Sequence, residues 1–466
     1  MIKKLMLSAL AVTSLAPAAI AADWLGDDHT VTLNVFNGAI FYDGYAGLDR
    51  NLEADADDGI LRHRNSLYAV PLTDEFLSQI GEKLDVSVVV EACCDNYDRI
   101  GNVNLALVPK GAETYNTADV QRLELGRFIT PFMDMNRQPN QVPYSYWMDY
   151  LSPILRDANL RAEYDLWLEL EIFGVPYAAN QQISGCAGRN DVFKGYLDFI
   201  TSDEPAPLTE NNVLVPMVMK NPEYIRNNLN NYQEAATDEI GKTRKTYTFT
   251  VPRDVEDAQI VLITSNHGAD VNGEEYNRRD HFVYYDGELI LEYKPGRTSC
   301  EPFRKYNTQR NGIYGDYKRT DRGWQSFSNW CPGDVIDNRI LHLGPVTAGE
   351  HSVVIDVPDA VFYNNDGDFP VSMFFQGSIA GMLPSSIDSV EFDPTAVFTV
   401  STDGRVISVN TDRNVLWLEV HDMAGRCLRR QAGLGDVDAT RWAAGTYLVT
   451  IDDADGYRTT QKVVLK

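Results

Sequence analysis

The sequence predicts an all-β protein made of paired antiparallel sandwiches. Short segments alternate apolar and polar residues with a period of two, a hairpin signal sits mid-chain, and no series of strands alternates with long helices. In chain order, Val31, Leu33 and Val35 alternate with Thr30, Thr32 and Asn34, giving one face to bury and one to wet. Val86 to Val90 is an apolar run that reads as a buried strand. Asp149 to Asp157 predicts a short helix limited by Pro153. Leu166 to Phe173 is a strand with Leu166, Leu168, Leu170 and Ile172 on its core face. Tyr247, Phe249 and Val251 alternate with Thr246, Thr248 and Thr250, and His281 to Tyr293 is a hairpin turning at Asp286-Gly287. Val406–Val409, Val415–Val420 and Thr446–Ile451 are strand-like pieces of a small last segment.

At 466 residues the chain has room for about three domains. With 41 basic and 67 acidic residues its formal charge is −26, which argues against nucleic-acid binding and against docking on anionic lipid. Lys3 and Lys4, the apolar run Leu5–Ala16 and the small residues Ala19-Ile20-Ala21 form a secretory signal over 1–21. No later apolar run is long enough to cross a membrane as a helix. The expected domains are 23–203, 212–382 and 390–466, with Ser202–Asn212 and Met382–Ser389 as linkers. Six cysteines (93, 94, 186, 300, 331 and 427) show neither a Cys-x-x-Cys pair nor zinc spacing, so disulfides are expected. Cys93 and Cys94 are neighbours, and a bridge between them is strained, so at least one looks elsewhere or stays free.

Four clusters carry possible chemistry. Trp167, Glu169, Glu171 and Phe173 share one strand face, two acids bracketed by rings, which suits a sugar but also suits an ordinary wet face. Asp95 to Arg99 places acids beside an arginine after a buried strand; the cation lowers a carboxyl pKa and burial raises it. In Gly273 to His281 the adjacent Glu274 and Glu275 point opposite ways if extended, so one of them faces a cleft. Ser328-Asn329-Trp330-Cys331-Pro332-Gly333 reads as a pinned loop presenting an indole.

In order along roughly residues 28 to 378, several segments together resemble the peptide-N-glycosidase F family. They are Asp95-Asn96-Tyr97-Asp98-Arg99 with Gly101-Asn102-Val103, then Gly126-Arg127-Phe128-Ile129-Thr130-Pro131, Glu171, Glu275-Tyr276 and Trp330-Cys331-Pro332-Gly333. The resemblance implies two adjacent eight-stranded jelly rolls with the active site between them. It implies hydrolysis of the amide joining asparagine to the innermost N-acetylglucosamine of an N-linked glycoprotein or glycopeptide, leaving aspartate. Asp98 is then the principal carboxylate, with Glu275 and Glu171 as partners. Arg99, Tyr97, Phe173, Trp330 and His267 contact substrate, and Cys300 bridges Cys331. No metal or other cofactor is implied. Cys186 is paired with Cys93 or Cys94, and Cys427 is left alone. The chain departs from the family at Tyr97, where tryptophan is usual. It also departs at Gly273 and Asn277, where two cysteines bracket the glutamate, and at Phe327, where an arginine stands that Arg319 or Arg322 would have to replace.

The tail resembles the C-terminal sorting domain of type IX secretion substrates, through Asp422-Met423-Ala424-Gly425-Arg426, Ala444-Gly445-Thr446-Tyr447-Leu448-Val449 and the terminal Lys462-Val463-Val464-Leu465-Lys466. This implies passage through the periplasm to the outside or the outer cell surface and contact with that secretion machinery. A monomer is expected. The competing readings are a non-catalytic glycan-binding relative, a glycosidase using the same carboxylates, and a copper monooxygenase of similar architecture. The last is disfavoured by seven scattered histidines without a His-x-His pair.

Overall fold

The computed structural model describes residues 29–47, 59–218, 239–268, 273–297, 299–309, 328–362, 369–379 and, in shorter pieces, 399–465. The secretory signal at 1–21, the linker Met382–Ser389, and Arg319, Arg322 and Phe327 lie outside the described residues.

The first sandwich contains β1 (Thr30–Tyr42), β2 (Leu61–Arg64), β3 (Leu67–Pro71), β4 (Leu84–Ala92), β5 (Ile100–Pro109), β6 (Gln121–Ile129), β7 (Gln141–Trp147), β8 (Tyr164–Ile172) and β9 (Asp191–Ser202). One antiparallel sheet runs β1-β9-β4-β7 and the other β6-β5-β8-β3-β2. These are nine strands among the described residues, where eight were expected. Val86, Val88 and Val90 of β4 and Leu168, Leu170 and Ile172 of β8 meet in the core. Two sheets each presenting an apolar face leave water only by packing together.

The second sandwich contains β10 (Asn212–Pro216), β11 (Arg244–Val251), β12 (Val255–Thr264), β13 (His281–Tyr285), β14 (Glu288–Tyr293), β15 (Val335–Ile336), β16 (Arg339–Val346), β17 (Gly349–Asp356) and β18 (Val371–Ser378). Its sheets run β10-β18-β12-β16 and β11-β17-β13-β14, eight strands, while β15 leaves to pair with β6 of the first sandwich. The hairpin β13–β14 turns at Asp286-Gly287, whose φ angles of 46° and 89° are those of the turn that Asp-Gly favours. The third domain pairs β19 (Thr399–Asp403), β20 (Val406–Asn410) and β23 (Val437–Asp438) in one sheet. Its other sheet holds β21 (Val415–Asp422), β22 (Cys427–Ala432), β24 (Gly445–Asp453) and β25 (Arg458–Leu465).

Several expectations change. β7, absent from the strands expected from the sequence, pairs with β4 from Asp85↔Trp147 to Glu91↔Gln141. The expected helix at Asp149 is a 3-10 turn, Asp149–Leu151, running into one short α-turn, Ser152–Leu155. Pro153 sits near that turn's start, where its missing N–H costs nothing. The outer face of β8 is not wet: Trp167, Glu169 and Glu171 are all buried. Burial there is tolerated because each acid is paired. Glu169 accepts hydrogen bonds from Arg122, from Tyr115 Oη (2.7 Å) and from Asn104 Nδ2 (3.0 Å).

The two sandwiches are joined by buried polar contacts. Arg127, wholly buried and paired with Glu124 at 2.7 Å, donates Nη1 to Ser265 Oγ (2.7 Å) and to the Pro370 carbonyl (2.9 Å). Asn338 Nδ2 donates to the Leu125 carbonyl (2.6 Å) and to Tyr150 Oη (3.1 Å).

Candidate active site

The segment after β4 is held rigid before it reaches the site. Cys94 is bridged to Cys186, and the neighbouring Cys93 is a buried free thiol. The side chain of Cys427 lies outside the described residues. Asp95 is fully buried and accepts from Arg99 Nε (2.7 Å), Val175 N (2.7 Å) and Tyr97 N (2.9 Å). Arg99 N donates to Thr130 Oγ1 (2.8 Å), and Thr130 N returns a bond to the Arg99 carbonyl (2.8 Å). Arg99 therefore pairs with Asp95, four residues back, and leaves the intervening Asp98 free to point elsewhere. The guanidinium also lies over the Tyr97 ring at 5.3 Å. Asp98 retains an exposed edge, yet burial pushes its carboxyl up to about 7, opposed by Arg99 and a backbone hydrogen bond and aided by Asp95.

Glu275 comes from the second sandwich. Gly273, at φ 67°, turns the chain into the 3-10 turn Glu274–Tyr276. Glu274 points inward to Arg279 (2.7 Å) and to Val361 N (3.2 Å). Glu275 points the other way, as expected, but through a helical turn and not an extended one. Burial, and next the Asp98 carboxylate, push Glu275 up to about 7, while the Gly268 N–H favours its ionised form. The charge of Asp98 in the first sandwich thus reaches Glu275 in the second.

The missing cysteine clamp is replaced by hydrogen bonds. Asn277 Nδ2 donates to the Gly273 carbonyl at 3.0 Å, joining the two positions. The Glu275 carbonyl accepts from Ser328 Oγ and from Asn329 Nδ2 (2.8 Å), and Asn329 also exchanges bonds with Asn266 N and O (2.8 and 3.1 Å). That loop is tied down by the Cys300–Cys331 disulfide.

Other expected site residues take different positions. Glu171 is fully buried, bound by Arg64 Nη2 (2.5 Å) and Asn102 Nδ2 (3.4 Å), and the register sets it opposite Asn102, near the start of β5. Phe173, at the end of β8, meets the exposed Tyr45 edge-on at 5.2 Å. Tyr97 and Tyr276 present exposed rings. Trp330 does not present its indole: it is 3% exposed, donates Nε1 to the Asn266 carbonyl (3.0 Å) and stacks under His267 at 5.9 Å. It packs in a small buried cluster with Ile129, Phe132, Ile263 and the Cys300–Cys331 disulfide. His267 bonds Ser265 Oγ at 2.7 Å, and burial with the nearby Arg127 lowers its pKa to about 3, so it is neutral.

Sequence reasoning left the anchor Asp95 and the ring of Tyr45 without a role. An acid four residues from Arg99 was a usable signal for the first, and nothing local marks the second.

The fold defines a double β-sandwich protein in which each sandwich brings one partly buried carboxyl, Asp98 and Glu275, with burial, and next the charge of the first, raising the pKa of the second. Residues 32–186 match the family profile for the peptide-N-glycosidase F N-terminal domain, and residues 231–376 match that for the C-terminal domain. Together these cover more than half of the chain, which belongs to the peptide-N-glycosidase F family. Among solved structures, PNGF-II in two crystal forms aligns at 19% and 18% identity with TM-scores of 0.54 and 0.53. These alignments cover 75% and 76% of this chain and 66% of each PNGF-II chain. PNGase F, a glycosylasparaginase from Flavobacterium meningosepticum, aligns at 17% identity over 75% of this chain and 96% of its own, with a TM-score of 0.47. No curated protein sequence matches. At such identities the PNGF-II likeness speaks for the fold. No helix among the described residues is long and apolar enough to cross a membrane.

Proposed function

We propose that this protein is a glycoamidase that hydrolyses the bond between asparagine and the innermost N-acetylglucosamine of N-linked glycoproteins or glycopeptides. The observation that carries this reading is the carboxyl pair Asp98 and Glu275, each pushed up to about 7. Two coupled acids near neutrality hold one proton between them over a wide pH range. Arg99 favours the ionised form at Asp98. Asp98 then takes a proton from water as that water attacks the amide carbonyl, and Glu275 gives its proton to the departing nitrogen. The carbon–nitrogen bond breaks, leaving aspartate and a glycosylamine. Glu171, wholly buried, is the third carboxylate of the set and acts through Arg64 and Asn102, which it holds in place, without itself touching the sugar. Tyr97, Phe173, Tyr45 and Tyr276 supply rings for the apolar pyranose faces, and His267 supplies a neutral imidazole. Trp330 supports His267 from below. In the same reading 1–21 exports the chain, 23–203 and 212–382 form the enzyme, and 390–466 is the type IX sorting domain directing it outside the cell.

The test is a defined asparagine-linked glycopeptide in heavy-oxygen water, read by mass spectrometry. Release of the whole glycan with labelled aspartate is expected. A sugar left on asparagine means glycosidase chemistry, and an unchanged peptide that still binds means a binding relative.

A further inference from the structure

The third domain sits in a charged socket on the first sandwich. From the sandwich come Lys83 and Asp149; from β21 and β22 come Glu419 and Arg430. Asp149, Glu419 and Arg430 are each buried. Arg430 Nη1 lies 2.6 Å from Asp149 Oδ2, and Arg430 Nε lies 3.2 Å from Glu419 Oε1. Lys83 Nζ lies 3.1 Å from Asp149 and 3.9 Å from Glu419. Each side brings one cation and one anion, and His421 Nε2 lies 3.1 Å from Glu419 Oε2 besides, so docking interleaves opposite charges. Rings close the edge: Arg430 lies over Trp147 at 5.8 Å, and Trp147 meets His421 edge-on at 6.2 Å. On β16 of the second sandwich, burial, and after it the charge of His421, lower the pKa of His342.

The grip falls beside the joint between the sandwiches. Asp149 precedes Tyr150, whose carbonyl accepts from Gln376 Nε2 (3.0 Å) and whose ring packs 6.5 Å from Phe374. Asp149 Oδ1 accepts from Leu84 N (2.8 Å), which ties the same turn to β4.

We infer that the surface formed by Lys83, Trp147 and Asp149 is a docking site whose partner is the chain's own third domain. The third domain is a bound brace of the two-sandwich body, not a tethered appendage. Cutting the connection between the second and third domains therefore does not free the tail. This holds whatever chemistry the Asp98 cleft performs.

The test places a site-specific protease sequence at residues 385–389 of the full chain, cuts it under native conditions and separates the products by gel filtration. The wild-type tail is expected to co-elute with the body. Lys83→Glu, which leaves the tail sequence untouched, and Arg430→Glu are each expected to weaken retention by about a hundredfold, in line with breaking a buried ion pair. Combining Lys83→Glu with Glu419→Lys is expected to restore it. Circular dichroism on each preparation reports folding. Separation of a folded wild-type tail after cutting overturns the inference. Undiminished retention in a folded Lys83→Glu variant, or failure of the exchanged pair to recover it, overturns the ionic assignment.

Discussion

Asp98 illustrates how one residue trades stability for chemistry. Its carboxyl sits near 7 in the folded chain, whereas an unfolded aspartate loses its proton near 3.8. Between those values the folded state holds a proton that the unfolded state has released. The stability associated with this group is therefore full below about pH 4 and falls as pH rises toward and past about 7. Asp98→Asn should accordingly unfold later than wild type at about pH 8, by about 1–2 kcal/mol once its exposed edge is allowed for, and show little gain at about pH 4. Its amide release should drop by about a thousandfold or more. Thermal melts at both pH values beside a glycopeptide assay measure the two effects; a variant less stable at the higher pH contradicts the assignment. Glu275 adds a second expectation. With both acids near 7, kcat/KM should peak around neutrality, failing on the acid side where both are protonated and on the alkaline side where both are ionised. In Glu275→Gln the surviving activity should lose one limb of that profile, and Asp98 should titrate lower without an anionic neighbour.

At the scale of elements, what the sequence disclosed depended on how local the signal was. β8 and β11 were legible because alternation is written within eight or nine residues. The hairpin at Asp286 was legible because Asp-Gly specifies its turn. β7 was not, since Gln141-Val142-Pro143-Tyr144 carries a proline and owes its strand form to pairing with β4. The wetness expected on β8 failed because the covering partners, Arg64, Tyr115 and Arg122, come from other strands and loops. The clusters that hold the acids were visible in the sequence, but their roles could be assigned only through a resemblance, and the anchors are distant: Val175 holds Asp95, and Asn329 holds the Glu275 carbonyl. The Glu275 turn makes the contrast testable. Where two cysteines are usual in the family, Asn277 spans to Gly273 by one side-chain bond. Asn277→Ala should cost about 1 kcal/mol of stability. It should lower kcat more than it raises KM, because the turn positions Glu275 for a proton transfer whose distance matters most in the transition state. An unchanged kcat would show that Ser328 and Asn329 suffice. Removing both Cys300 and Cys331 attacks that second hold. The bridge closes a loop of 31 residues, so its loss should cost about 3–4 kcal/mol in the chain-entropy account, read by denaturant unfolding.

For the molecule as a whole, the site exists only while the two sandwiches keep their register, and Arg127 is the residue most directly charged with that. It is wholly buried, neutralises Glu124 within its own domain, and reaches across to Ser265 and Pro370 with its remaining hydrogens. Ser265 in turn holds His267, so a single guanidinium links the interface to that imidazole. Two roles are therefore superposed, and they separate by substitution. Arg127→Met leaves Glu124 buried without its cation, which should cost about 3–5 kcal/mol. Adding Glu124→Gln removes that stranded charge, so much of the stability should return. The bonds to Ser265 and Pro370 do not return, and the separation of Asp98 from Glu275 is then set less tightly. The double variant should thus melt near wild type yet remain slow at saturating substrate, with the titration of Glu275 shifted downward as the Asp98 charge recedes. Calorimetry and a pH–rate profile on the same preparations decide it. If stability and rate recover together, Arg127 serves only to neutralise Glu124, and the register of the cleft is kept by β15, Asn338 and Gln376 without it.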